Sequence, residues 1–176
     1  INEYVGEKDR LYVLGNWSGG PISNIWKFRT RLNCQEIHLT LGPRDRNISS
    51  NIPLHKDLKY NHGIKERYAI LRSANLFSSV SNSKMINVGR QEGYLNYYPQ
   101  LAWDNSEMGS WHLFGYGKNT LGEQHNRCMD VGIDNYNFRP YSYDEISDIL
   151  YQRPKLVPEW NKLKQTEVIS NRGNVW

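Results

Sequence analysis

Leu11-Tyr12-Val13-Leu14, then Gly15-Asn16-Trp17-Ser18-Gly19-Gly20-Pro21, then Ser23 to Leu32, then Glu36-Ile37-His38-Leu39-Thr40-Leu41: this opening stretch decides the fold class. The four residues from Leu11 read as a short strand, and Gly19-Gly20-Pro21 closes it in a turn. Ser23 is placed to cap a helix in which Ile25, Phe28 and Leu32 form one apolar stripe, with Lys27, Arg29 and Arg31 pointing outward. Glu36 to Leu41 alternates Ile37, Leu39 and Leu41 against Glu36, His38 and Thr40, the period of a half-buried strand. Strand, turn, helix and strand in that order predict α/β layering.

Working outward, 42–63 is a long polar and basic loop, 64–77 has helical spacing, and 78–84 reads as a Ser/Asn-rich linker. Met85 to Val88 is a candidate strand. Tyr94 to Tyr116 is aromatic and fits no single period. Met129 to Ile133 reads as a buried strand ending in Asp134. Tyr141 to Tyr151 reads as a helix, with Ser142 and Glu145 in capping-box register. No Asn-Gly hairpin signature and no internal repeat is visible. Residues 1–153 are expected to form a single α/β domain and 154–176 an extended arm containing Trp160.

Composition narrows the class. The chain has 176 residues, 22 Lys and Arg against 18 Asp and Glu, and only 38% hydrophobic residues, with 6 Trp, 12 Tyr and 4 Phe. Mean hydropathy is −0.74 and the isoelectric point is about 9.0. No window approaches the roughly 20 apolar residues of a membrane helix, and the aromatic content argues against full disorder. The positive excess is local: residues 1–75 hold 12 basic against 7 acidic side chains, and the rest hold 10 against 11. Lys27, Arg29, Arg31, Arg44, Arg46, Lys65, Arg67 and Arg72 are the candidate phosphate contacts.

Enzymatic signatures are weak. His38-Leu39-Thr40 resembles one half of a two-histidine phosphoesterase site, but its only counterpart, His112-Leu113-Phe114, lacks the hydroxyl. A phosphodiester hydrolase or nuclease using His38 and Thr40 is the alternative reading, and His38 is expected to be dispensable because an acid and base pair cannot be assembled from one half. Gly115-Tyr116-Gly117-Lys118-Asn119-Thr120 lacks the spacing of a phosphate loop. Asp144, Glu145 and Asp148 fall at a helix start, where the dipole alone favours acids. Without a Cys/His cluster no metal is expected. Asn16-Trp17-Ser18 and Asn47-Ile48-Ser49 match the glycosylation sequon, so a secreted binding module with a Cys34–Cys128 disulfide is a further alternative.

Three pieces, in order, resemble one family. Tyr12 to Asn24, with Trp17, Gly19, Gly20 and Asn24, resembles the Trp-x-Gly-Gly motif of ribosomal protein two of the small subunit. Val131 to Pro140, with Asp134 and Pro140, is similar to that family's strand and following proline. Pro140 to Ile149, with Asp144, is similar to the stretch opening its next helix. The resemblance implies a flavodoxin-like parallel sheet, or the C-terminal half of one. It implies a non-catalytic structural constituent of a mitochondrial-type small ribosomal subunit in the matrix, contacting rRNA and neighbouring proteins, with no cofactor and no membrane. Gly19 and Gly20 would then allow a turn that Cβ atoms obstruct, and Asp134 and Ser142 would tie loops through backbone N–H groups. The family's first half has no counterpart here, so an upstream segment, a separate chain carrying that half or the neighbouring ribosomal surface is expected to cover the sheet edge.

Overall fold

The computed structural model describes residues 1–19, 23–45, 48, 76–116 and 126–156. Strand β1 (Arg10–Leu14), helix α1 (Ser23–Arg29), β2 (Glu36–Thr40) and β3 (Ser79–Ser81) come first. The second group is β4 (Ser83–Val88), β5 (Gln91–Asn96), β6 (Trp111–Phe114), β7 (Cys128–Asp130) and helix α2 (Tyr143–Leu150). Sheet A has the order β1-β2-β3 and is parallel throughout, with Leu11 opposite Ile37 and Val13 opposite Leu39. Sheet B has the order β4-β5-β6-β7; β4 and β5 are antiparallel, while β5, β6 and β7 run parallel. This is a mixed α/β architecture, as the opening stretch predicts, and it is compatible with the flavodoxin-like class that the resemblance implies.

Alternation along the strands divides the core. Leu11, Ile37 and Leu39 pack with Ile25 of α1, Val5, Cys34 and Phe77 on one side of sheet A. Leu14 leaves from the other side into a second cluster with Leu95, Trp111, Leu113, Met129 and the inward residues of α2, Ile146 and Leu150. Each such buried aliphatic side chain contributes about 1.5–3 kcal/mol. Trp103, Phe114 and Cys128 form a third cluster. All four residues of β6 are buried, as expected of a strand covered on both faces. His112 on that strand is 0% exposed, so it is no surface half-site. Gln100 N–H donates to its Nε2 and its Nδ1 faces the Tyr94 carbonyl, each at 3.1 Å, which selects the neutral ring with the proton on Nδ1.

The aromatic stretch that resisted typing holds β5 and β6, with a 3-10 turn at Ser106–Met108 between them. Its side chains face two sheets and a loop, so no single period could describe it. The reading of 78–84 as a linker is corrected: β3 and the start of β4 lie there, β3 a short polar strand whose partner, β2, is distant in sequence. A hairpin is also present. Val88 pairs with Gln91 across the two-residue turn Gly89-Arg90, with Gly89 at φ 61°; glycine at the first turn position serves where Asn-Gly was sought.

The end of β7 is corrected too. Asp134 lies beyond it in a 3-10 turn, Ile133–Asn135. The carboxylate that ties this loop is Asp130, accepting from Gly132 N–H at 2.9 Å. The capping box of α2 forms as read: Ser142 Oγ accepts from Glu145 N–H at 3.2 Å, and Glu145 Oε2 accepts from Ser142 N–H at 2.8 Å. Arg139 binds the same carboxylate, which with the Ser142 N–H and the Tyr136 hydroxyl holds Glu145 far below the usual carboxylate range. Residues 64–75, most of the 42–63 loop and 157–176 of the expected arm lie outside the described residues.

Burial pushes the His112 pKa below 6.5. The unfolded chain therefore takes up this proton at a higher pH than the folded one, and acid favours unfolding. Stability should fall as pH drops below about 6.5, by at most about 1.4 kcal/mol per pH unit from this one group, until the folded-state pKa is passed. Urea midpoints at pH 7, 6 and 5 check the trend.

Candidate nucleic-acid interface

The carboxyl ends of β1, β2, β5 and β6 meet around one side chain, Tyr97, which is 4% exposed. Gly15 follows β1 at φ 80°, and a Cβ there would stand 2.2 Å from the Tyr97 ring. Gly42 follows β2, where a Cβ would meet Asn16 N at 2.8 Å and the Tyr97 ring at 3.0 Å. Gly115 follows β6, where a Cβ would lie 2.4 Å from the Leu14 carbonyl oxygen. Three strand ends thus approach closely because each carries glycine at the point of contact. Gly115 N–H donates to the Tyr97 carbonyl at 3.2 Å, and Asn16 Nδ2 donates to the Tyr97 hydroxyl at 2.8 Å.

Asp45 locks the first two loops. Its carboxylate accepts from Trp17 N–H at 2.8 Å and from Gly42 N–H at 2.9 Å. Asp45 is buried, and desolvation raises its pKa against the pull of these N–H donors. Trp17 Nε1 donates to the Ile25 carbonyl at 3.2 Å, and its ring meets Phe77 edge-on at 4.8 Å. Asn24 Nδ2 donates to the Gly19 carbonyl at 2.8 Å. Trp17, Gly19 and Asn24 therefore shape the turn between β1 and α1. A Cβ on Gly19 would meet nothing within 4 Å. The expected obstruction at that glycine is absent; it falls instead at Gly15, Gly42 and Gly115. Gly20 lies outside the described residues.

This rigid seat presents an aromatic surface. Tyr98 and Tyr116 are 49% and 44% exposed. Their ring centroids lie 5.2 Å apart, and each meets Tyr97, at 4.8 and 5.7 Å. Arg44, held by a 3.2 Å bond from its N–H to Asn16 Oδ1, is exposed and close enough for its charge to act on Tyr97. Its guanidinium has no carboxylate partner among the described residues. A cation beside exposed aromatic faces suits bases and phosphates together. In an α/β sheet, the carboxyl ends of the strands are also where ligands settle.

Of the basic residues singled out in the sequence, Lys27 and Arg31 are exposed at α1 and just beyond it, and Arg44 joins the tyrosines. Arg29 is a correction. It turns inward, donating from Nε to the Leu76 carbonyl at 2.8 Å, from Nη1 to Leu32 at 3.3 Å and from Nη2 to Gln35 at 3.2 Å. The carbonyls left open after the last turn of α1 draw it in. Arg46, Lys65, Arg67 and Arg72 lie outside the described residues. Asp134 and Asp144 are exposed, and Pro140 is half-buried ahead of α2. Sequence reasoning missed Tyr97, Tyr98 and Tyr116 as a unit; the signal was an aromatic within two residues of the end of each of two strands.

The alternatives meet specific obstacles. Thr40 is 2% exposed, so it cannot touch a substrate beside His38. Cys34 and Cys128 are buried in different clusters, so the disulfide of the secreted-module alternative is not formed. At the first sequon, Asn16 Nδ2, the atom that would carry a glycan, is bonded to the Tyr97 hydroxyl. No group of acidic, Cys and His side chains among the described residues could hold a metal ion. No helix among the described residues is long and apolar enough to cross a membrane. Comparison with family models, curated proteins and solved structures finds no match.

The glycine seat should be intolerant of added volume. Gly115→Ala is expected to cost about 1–3 kcal/mol, because its Cβ would strike backbone that cannot yield. Gly19→Ala should stay within about 0.5 kcal/mol. Asp45→Asn removes one of two carboxylate acceptors and should cost about 1–3 kcal/mol. Denaturant midpoints at unchanged slope measure all three.

Proposed function

We propose that this chain is an RNA-contacting protein that takes unpaired bases on Tyr98 and Tyr116, with Arg44 meeting the adjoining phosphate. The observation that carries the reading is the pair of exposed tyrosines on a glycine-walled seat beside a guanidinium with no carboxylate partner among the described residues. Stacking rewards rings already held in place, since little further freedom is lost on binding. The excess of positive charge in residues 1–75 adds attraction independent of sequence.

On the resemblance of Tyr12–Asn24, Val131–Pro140 and Pro140–Ile149, we propose the chain as a constituent of a mitochondrial-type small ribosomal subunit. Its partners would be rRNA and neighbouring subunit proteins. The turn held by Trp17 and Asn24 and the capped start of α2 are scaffold features, which support a structural role.

Fluorescence anisotropy with labelled single-stranded and duplex RNA tests the reading. Single strands should bind more tightly. Tyr98→Ala and Tyr116→Ala should each weaken binding by about 1–3 kcal/mol, the range of one stacked base. Arg44→Ala should reduce the slope of log affinity against log salt by about 0.7. Equal affinity in all three variants, with melting temperatures unchanged, would remove the RNA reading. Failure to co-sediment with small-subunit particles would remove the ribosomal assignment alone.

A further inference from the structure

A row of polar side chains on sheet A takes no part in the tyrosine seat. Ile37 and Leu39 point into the core beneath α1, so His38 between them stands on the opposite face. The parallel register sets it directly across from Ser79 on β3. Ser79 Oγ lies 2.7 Å from His38 Nδ1, and Glu36 Oε1 lies 3.0 Å from His38 Nε2. Glu36 is itself held by Arg10 Nε at 2.5 Å. Lys84 Nζ donates to Ser79 Oγ at 3.1 Å.

These contacts select one arrangement of protons. The Glu36 carboxylate can only accept, so Nε2–H donates to it, and in the neutral ring Nδ1 is left to accept from the Ser79 hydroxyl, whose oxygen accepts from Lys84. The Tyr12 ring stacks on the imidazole at 5.0 Å and 17°, which fixes its plane. Nucleophile, base and carboxylate are thus joined in series, with a cation at the nucleophile. Those are the contacts that activate a serine in covalent catalysis, where roles and geometry matter more than chain order. The sequence pointed to Thr40 as the partner of His38, but Thr40 is buried and Ser79 is the hydroxyl within reach.

We propose that Ser79 is the nucleophile of an acyl-ester hydrolase site, with His38 as its base and Glu36 as the positioning residue. The Ser79 oxygen adds to the ester carbonyl carbon as its proton passes to His38 Nδ1, and the imidazolium so formed is stabilised through Nε2–H by Glu36. Collapse breaks the bond to the leaving alcohol, which takes the proton from Nδ1. Water then adds to the acyl carbon and gives a proton to Nδ1. The carbon–Oγ bond breaks, Oγ recovers that proton and the carboxylic acid departs. Lys84 stabilises negative charge beside Oγ. Esters suit this site because their leaving groups demand less oxyanion stabilisation than amides, and one ammonium group is what the row supplies.

None of these residues belongs to the tyrosine seat, so the inference stands apart from RNA contact. The test treats the full chain with a fluorophosphonate probe, maps the modified residue by mass spectrometry, and follows hydrolysis of 4-nitrophenyl acetate. Labelling should fall on Ser79 and vanish in Ser79→Ala. Glu36→Gln, at a side chain 40% exposed and so tolerant of change, should slow labelling and hydrolysis at least tenfold with the melting temperature unchanged. His38→Gln should do the same, and where it does not fold, Glu36→Gln and Lys84→Met carry the comparison. No label on Ser79, or equal rates in wild type and Glu36→Gln, would overturn the proposal.

Discussion

The close packing of three strand ends, two of them against the Tyr97 ring, is the constraint on which the rest of the structure depends. Gly15, Gly42 and Gly115 leave no room for a Cβ, and two of the three contacts are with backbone, which cannot rotate away. Sheet A reaches sheet B at this point: the Leu14 carbonyl meets Gly115, and the Leu14 side chain enters the cluster of Leu95, Leu113 and Met129. The Tyr97 hydroxyl binds the Asn16 turn, so one aromatic side chain ties the loop after β1 to the end of β5. Packing of this density transmits strain, which is why a single added carbon is felt there.

Sheet A serves two purposes because its faces alternate. The Ile37 and Leu39 face is closed by α1 and holds the domain together. The other face joins the second core through Leu14 and Tyr12, and also carries Glu36, His38 and Ser79. Polar groups on a half-covered sheet must find partners, and these find one another. Whether such a row acts chemically depends on how its protons are placed, and the Glu36 carboxylate, which only accepts, gives it a direction.

Charge is likewise divided between interior and exterior use. Arg29 closes the end of α1, and Arg139 stacks over Tyr136 at 3.7 Å while binding Glu145 at the start of α2. Both are commitments to the fold, since a guanidinium presents several donors that suit carbonyl and carboxylate clusters. Arg44 is held through its backbone instead, which leaves the side chain beside Tyr97 for another molecule.

The sequence by itself determined what rests on neighbouring residues. Alternation from Glu36 to Thr40 and the Ser142–Glu145 capping box each involve side chains a few positions apart, and each matches an observed element, whereas of the expected stripe on α1 only Ile25 is buried, since Phe28 is 42% exposed and the helix ends at Arg29, before Leu32. The basic first part was legible in the same way, although the inward turn of Arg29 was not, because its acceptors at Leu76 and Gln35 come from the fold. The polar β3 and the hairpin at Gly89 escaped detection because their hydrogen-bond partners, not their own composition, make them strands. Only the tertiary structure decided that Tyr97, Tyr98 and Tyr116 share one surface with Arg44, and that Ser79 meets His38 across 41 positions. Local periodicity encodes which face of an element is apolar, whereas strand order and register decide which distant side chains lie within hydrogen-bond reach.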